Sequence, residues 1–299
     1  MRDPAGPSET ARRVAAYRLG FERLGAPATG NPDAENRLAA DVAEDVTVDR
    51  ASLMGRYLQA RTAFFDRVTV NALNRRVAQI VIVGAGYDGR ALRYRTPGVR
   101  WWEIDRPQTQ HDKCDRLARL AIAIDHVTFL GLDLADGGLA TALIEKGFDP
   151  EASALFLAEG VIPYLEADTV RMVLGELRSL AAPRTRFALS WRRSGADPVA
   201  RGHFEAGVAA LGEPAVGSVT AEDGEVLLSE CRWQLVALSE RARAAGFVMV
   251  APAESELTDA VSIKGQFVTV MLEYDGGREV TVYLPPAPPE AVISVNHWS

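Results

Sequence analysis

The chain has 299 residues, 47% of them hydrophobic and 24% charged, which is enough to build a sizeable buried core. Its formal net charge of −7 argues against a nucleic-acid-binding protein, which would favour a basic surface. Two distant cysteines and four scattered histidines supply no metal-ligand spacing, and no apolar run has the length of a membrane span or the form of a signal peptide, so a soluble cytoplasmic protein is expected.

Residues 1–78 read as a helical cap. Ser8 or Thr10 caps a first helix that runs to about Leu24, where Gly25-Ala26-Pro27 stops it. Val14, Tyr17, Phe21 and Leu24 repeat at helical spacing, with Arg18 beside their stripe. Asn31-Pro32-Asp33-Ala34-Glu35 opens a second helix, with a capping side chain, a proline in the first turn and acids at the positive end of the dipole. It carries Leu38, Val42 and Val46. A third helix over roughly 51–77 repeats Tyr57, Phe64, Phe65, Val68 and Ala72 at three- and four-residue intervals, and Arg61 sits inside that stripe. Either Arg61 packs its stem and keeps its head in water, or it is a buried guanidinium awaiting an anion, since an unpaired buried charge is costly. The second reading is preferred, because this helix leads directly into a glycine-rich turn.

That turn is Gln79–Arg90, Q-I-V-I-V-G-A-G-Y-D-G-R. An apolar strand empties into Gly84-Ala85-Gly86, which lets backbone approach a ligand closely, and the helix behind it presents free N–H groups. From here strands and helices alternate. Strand-like runs are Gln79–Val83, Val99–Ile104, Val127–Leu132, Ala154–Ala158, Arg186–Trp191, Phe247–Ala251 and Phe267–Leu272. Helical segments are Arg90–Tyr94, Arg106–Ala123, Gly138–Lys146, Asp168–Leu180 and Ser229–Ala245. The pattern predicts an α/β fold, a doubly wound and mostly parallel seven-stranded sheet with both faces covered. Residues 192–225 interrupt it as an insertion near the site. A further strand at 279–284 precedes a proline-rich tail, 285–299, and the whole reads as one domain with its α/β core at 79–284.

Ligands of doubly wound sheets bind outside the carboxyl ends of the strands. Here those ends carry Gly84-Ala85-Gly86-Tyr87-Asp88, then Glu103 and Asp105, then Asp133 and Leu134, then Glu159, a continuous acidic rim. Gly84, Gly86 and Gly89 can be parsed as a dinucleotide fingerprint, which opens the alternative of a nicotinamide-dependent oxidoreductase. Asp88 counts against it, because it would put negative charge beside a diphosphate. An adenosine with a ribose, a cationic end and a free carboxylate fits the rim better, with Arg61 as the partner of the carboxylate. Those are the parts of S-adenosylmethionine.

The chain resembles the leucine carboxyl methyltransferase family, including its bacterial branch of S-adenosylmethionine-dependent methyltransferases. The resemblance is carried by T-A-x-x-V-A-x-x-R (Thr10 to Arg18), Y-x-x-A-R-T-x-F-F-D (Tyr57 to Asp66), V-G-A-G-Y-D-G-R (Val83 to Arg90), W-E-I-D-R-P (Trp102 to Pro107), Asp133-Leu134 and A-E-G-V-I-P-Y-L (Ala158 to Leu165). It implies a Rossmann-like class I methyltransferase fold with S-adenosyl-L-methionine as cofactor. It implies further that Gly84 and Gly86 pass under the methionine part, Arg61 pairs with its carboxylate, and Asp105 holds the ribose. Asp133 and Leu134 would border the adenine, and Glu159 would close the site near the amino group. A second basic contact on the first helix is Arg18, with Arg12 as the substitute.

After Leu165 no family motif stands out, and the acceptor is left open between a small-molecule or peptide carboxylate and a hydroxyl. A carboxylate is already ionised and needs no base, whereas a hydroxyl would need proton removal, for which His203 in the insertion is the one histidine considered. Tyr164 either borders the acceptor space or packs in the core. The expected function is an S-adenosylmethionine-dependent O-methyltransferase without metal, nucleic-acid or membrane partners. The remaining alternative is a non-catalytic protein that binds an adenosyl ligand.

Overall fold

Gln79–Val83 form the central strand, β1, and all five residues are buried. An unbroken apolar run of this kind belongs to a strand covered on both faces, where alternation is not needed. The computed structural model describes residues 6–191, 198–217, 219, 221–236 and 246–253, together with strands at 267–272 and 278–283. It divides into two compact units, Met1–Ala260 and Val261–Ser299.

In the first unit, three helices precede the sheet: α1 (Glu9–Arg18), α2 (Pro32–Val42) and α3 (Leu53–Asn74). Their caps are local and chemical. Ser8 accepts from the N–H of Ala11, Asn31 from Ala34 and Ser52 from Gly55, each satisfying a donor that the first helical turn leaves unpaired. The chain then alternates through β1, α4 (Arg90–Arg93), β2 (Arg100–Asp105), α5 (Pro107–Arg119), β3 (Val127–Gly131), α6 (Leu139–Glu145), β4 (Ala154–Ala158), α7 (Ala167–Ser179) and β5 (Arg186–Ser190). It continues through α8 (Pro198–Ala209), α9 (Ala221–Glu230), β6 (Trp233–Leu235) and β7 (Phe247–Pro252).

The sheet order is β3-β2-β1-β4-β5-β7-β6. The strands from β3 to β5 pair in parallel, and β7 runs antiparallel to both β5 and β6. Strand order reverses beside β1, so the crevice at its carboxyl end is where this topology places a ligand. One core cluster holds Val81, Val83, Trp102 and Phe156 together with Leu174 and Leu177 of α7. A second holds Leu38 and Val42 of α2 against Tyr87, Leu92 and Leu117.

Two expectations change. The seventh strand of this sheet is Trp233–Leu235, within a stretch read as helical over 229–245; residues 237–245 of that stretch lie outside the described residues. A three-residue edge strand is too short to impose a periodicity, and its pairing with Val250, Ala251 and Pro252 of β7 is a tertiary event. Phe267–Leu272 (β8) instead pairs antiparallel with Arg278–Tyr283 (β9) in the second unit. The first helix also stops at Arg18, and its buried residues are Ala15 and Ala16, not the larger apolar residues. Only small side chains let this helix come close to the glycine turn, while Tyr17 stacks on Phe21 at 6.4 Å, both half-exposed. Among the described residues, no helix is long and apolar enough to cross a membrane.

Candidate functional site

The turn after β1 needs glycine at two positions, for two reasons each. Gly84 and Gly86 have φ of +67° and +49°, a region L-residues rarely enter. A Cβ on Gly84 would also lie 2.6 Å from Val161, and one on Gly86 would lie 2.8 Å from the Cβ of Ala11 in α1. Asp105, at the end of β2, fixes the turn: its Oδ2 accepts from the N–H of Gly86 at 2.6 Å and its Oδ1 from the N–H of Arg106 at 2.8 Å. Burial pushes the Asp105 carboxyl up, and these two backbone donors oppose it. At the end of β3, Asp133 accepts from Ala135 at 2.9 Å and Leu134 is buried.

Behind the turn lies a connected network of buried ions. Arg93 pairs with Glu35 at 3.0 Å, Glu35 with Arg23 at 2.8 Å, and Arg23 with Asp66 at 2.6 Å. Asp66 meets Arg90 at 2.8 Å, and Arg90 also bonds Asp88 and reaches Glu159 at 2.6 Å. Glu159 is shared further with Arg18 at 2.9 Å and Arg61 at 3.0 Å, and Arg18 lies 3.3 Å from Asp88. Among the described residues these pairs join five guanidiniums (Arg18, Arg23, Arg61, Arg90, Arg93) to four carboxylates (Glu35, Asp66, Asp88, Glu159), one more positive than negative group. Nε of Arg18 is buried without a hydrogen-bond partner among the described residues. Burial pushes Glu159 up, but Arg18, Arg90 and Arg61 together override it and hold the carboxyl well below the usual range. Asp66 is lowered in the same way by Arg23 and Arg90.

These contacts place each expected residue. Arg61 is buried on α3 as preferred, but it is paired: its Nε donates to Glu159 and its guanidinium stands 5.7 Å from the centre of the Tyr57 ring. Gly160 leaves room for it, since a Cβ there would lie 2.7 Å from Nη1 of Arg61. Arg18 belongs to the network, whereas Arg12 bonds Glu9 at 2.7 Å, Asp45 and the carbonyl of Val42. Glu103 leaves the rim: it is buried beside Lys113, whose ammonium also donates to the carbonyl of Asp88 at 2.7 Å. Tyr164 is half-buried beside Thr10 of α1, and burial raises its phenol pKa with Thr10 and Arg61 opposing. His203 falls on α8, with its side chain outside the described residues.

Asp88 carries less weight than its charge suggested. Its carboxylate is neutralised by Arg90 and Arg18 and accepts from the N–H of Arg90 at 2.8 Å, so repulsion of a diphosphate is not the deciding argument. The sequence by itself assigns Arg23, Glu35, Asp66, Arg90 and Lys113 no role at the site. Asp66 follows Phe64 and Phe65 on α3 in the string F-F-D, and Arg90 ends the glycine turn Y-D-G-R as the first residue of α4; those placements were the available signal. Among the described residues, no group of histidine, cysteine and acidic side chains is arranged to hold a metal ion.

Comparison with known proteins bears on the family and the fold. The chain is 36% identical over 168 residues to a candidate S-adenosyl-L-methionine-dependent methyltransferase of Parafrankia sp., covering 53% of this chain and 48% of the relative. It is 27% identical over 273 residues to one from Mycobacteroides abscessus, covering 87% and 90%. Several of these matches span only about half the length of the relative. In fold, it resembles a candidate methyltransferase from Thermobifida fusca, with TM-score 0.51, 14% identity, and 84% and 96% of the two chains covered. A DUF574 family protein from Streptomyces avermitilis gives a TM-score of 0.53 at 12% identity, covering 82% and 98%. The family described as Leucine carboxyl methyltransferase matches residues 20–178, the stretch that carries α2, α3, the glycine turn and the strand ends through Glu159. The chain belongs to the leucine carboxyl methyltransferase family.

Proposed function

We propose that this chain binds S-adenosyl-L-methionine at the carboxyl ends of β1–β4 and transfers its methyl group to an acceptor oxygen. The observation that carries this reading is the buried network at the glycine turn, with one guanidinium more than it has carboxylates and an orphaned donor on Arg18. The open donor on Arg18 can take an anion, and the cofactor's carboxylate supplies one. Its ammonium is matched by Glu159, which is held ionised by three arginines. Arg61 and Arg18 then take the carboxylate, Gly84 and Gly86 give backbone access, Asp105 holds the ribose, and Asp133 and Leu134 border the adenine. The residues present therefore fit the group.

The bound cofactor would supply an electrophilic methyl on a positively charged sulfur. The protein's share is to align the acceptor for in-line displacement. Within the described residues the carboxylates nearest the arginines are poor bases. Asp66 and Glu159 are held low by arginines, and Asp105 already accepts two backbone bonds. An acceptor that arrives ionised, a carboxylate, suits that chemistry better than a hydroxyl. Tyr164 lines the acceptor side in this reading.

Calorimetric titration with S-adenosylmethionine and S-adenosylhomocysteine tests the proposal. Binding in the micromolar range is expected for both, and Arg61→Ala should weaken it at least about tenfold, the loss of one charge-assisted contact. No heat from either ligand, or an enhanced NADH fluorescence in its place, refutes the reading. Methyl transfer to a panel of carboxylic acids and phenols then separates the two acceptor classes.

A further inference from the structure

We propose that Glu213 is a positioning residue that latches α1 over the glycine turn and couples the segment after α8 to closure of the cofactor site. The proposal rests on the reading of that turn as a cofactor site. Ala11 of α1 lies directly against Gly86, and Arg18 from the same helix reaches Asp88 and Glu159. With α1 in place, Gly86, Asp88 and Arg61 are all buried. A ligand as large as an adenosyl amino acid reaches them only if this helix moves.

Arg50 holds the C-terminal carbonyls of Ala16 and Tyr17, and at the N-terminus α1 is tied by a separate set of bonds. The N–H of Ser8 donates to Oγ1 of Thr109 at 3.1 Å. Glu213 meets Glu9, Ser8 and Arg106: the N–H of Glu9 reaches Oε1 at 2.8 Å, the hydroxyl of Ser8 reaches Oε2 at 2.9 Å, and Nη2 of Arg106 lies 3.7 Å from Oε1. The same hydroxyl accepts from Ala11 at 3.0 Å, so the carboxylate of Glu213 orients the cap of the helix. A carboxylate at a helix N-terminus is also favoured by the macrodipole.

Glu213 is held in its turn by the insertion. Gly212, at φ +78°, ends the helical turn after α8, and the N–H of Glu213 bonds the carbonyl of Val208 at 3.1 Å. Four residues on, the N–H of Gly217 donates to the carbonyl of Pro163 at 2.9 Å, and a Cβ at Gly217 would lie 2.8–2.9 Å from the carbonyls of Ile162, Pro163 and Leu165. One short segment therefore grips both the cap helix and the rim that follows Glu159. Cofactor enters with the latch released, and closure of α1 sets Glu213 and the rim together.

The test measures release of S-adenosylhomocysteine and amide hydrogen exchange across α1 in the wild type, Glu213→Ala and Glu213→Gln. In the wild type the ligand should slow exchange at the α1 amides. Glu213→Ala should release the ligand about tenfold faster and lose that protection, because two bonds to a charged acceptor are removed. Glu213→Gln, which keeps one acceptor oxygen and no charge, should fall between the two, a partial rescue that a purely structural defect would not show. Release rates and α1 exchange equal to wild type in both variants, or in Glu213→Gln alone if the alanine variant does not fold, overturn the latch. Failure of the wild type to bind the ligand refutes the cofactor reading, and the latch with it.

Discussion

Arg90 is the residue on which the buried network turns, and replacing it with methionine is the sharpest test of the electrostatics. Its side chain is 1% exposed and it touches Asp66, Asp88, Glu159 and the carbonyl of Thr62. Arg90→Met keeps an apolar stem beside Phe65, which the guanidinium faces at 5.7 Å, but deprives three buried carboxylates of a shared partner. Removing one member of a buried ion pair costs about 3–5 kcal/mol, because the remaining charge stays out of water. For a domain of this size each kcal/mol moves the unfolding midpoint by roughly 2–4 °C, so a drop of about 6–20 °C is expected by circular dichroism melting. Arg90→Lys should recover only part of it, since a point charge cannot bond three carboxylates in a planar fork. Adding Asp66→Asn to Arg90→Met should cost less than the sum of the single changes by about 1 kcal/mol or more. A midpoint within about 2 °C of wild type for Arg90→Met, or a lysine variant equal to wild type, would refute the claim that this network is energetically coupled.

Other outcomes follow from the same contacts. Gly86→Val forces a branched Cβ at φ +49° into Ala11 and should displace α1; cofactor affinity should fall by at least about tenfold, and an unchanged affinity would show that α1 does not close on the turn. The lowered carboxyls of Asp66, Asp88 and Glu159 contribute stability that is complete above their unfolded values, near 3.8 and 4.5, and is lost as pH falls through their folded values. Glu103 acts in the opposite sense. Burial raises it to about 7 against the pull of Lys113, so stability from this group declines as pH rises from 4.5 to about 7. Denaturant melts should lose stability as pH falls below about 4 and decline separately as pH rises from 4.5 to about 7; Glu103→Gln should flatten only the second decline, and identical profiles for the two proteins would contradict it. Lys113→Met strips the support of the Asp88 carbonyl and leaves Glu103 unpaired; a fall in stability of about 3 kcal/mol is expected from urea unfolding, and a neutral effect would mean that the pair is dispensable.

The strands of the parallel core could be read in the chain because their chemistry is local. β1 and β4 are continuous apolar runs flanked by glycine or by acids, and the caps at Ser8, Asn31 and Ser52 need only residues three positions away. The acids at the strand ends and the burial of Arg61 were visible for the same reason, as polar residues placed at fixed offsets from apolar ones. The partners of those charges were not visible. Arg90 meets Asp66 and Glu159 across 24 and 69 positions of chain, and Glu213 reaches Glu9 across 204. No periodicity encodes a pairing over such separations. The glycine turn, the strand ends that flank it and the buried position of Arg61 were thus determined by the sequence alone. Which arginine faces which carboxylate, that Glu103 turns inward to Lys113, that Trp233–Leu235 completes the sheet, and that α1 lies over the glycine turn were decided only in the folded chain, where burial forces each charge and each unpaired strand edge to find a partner.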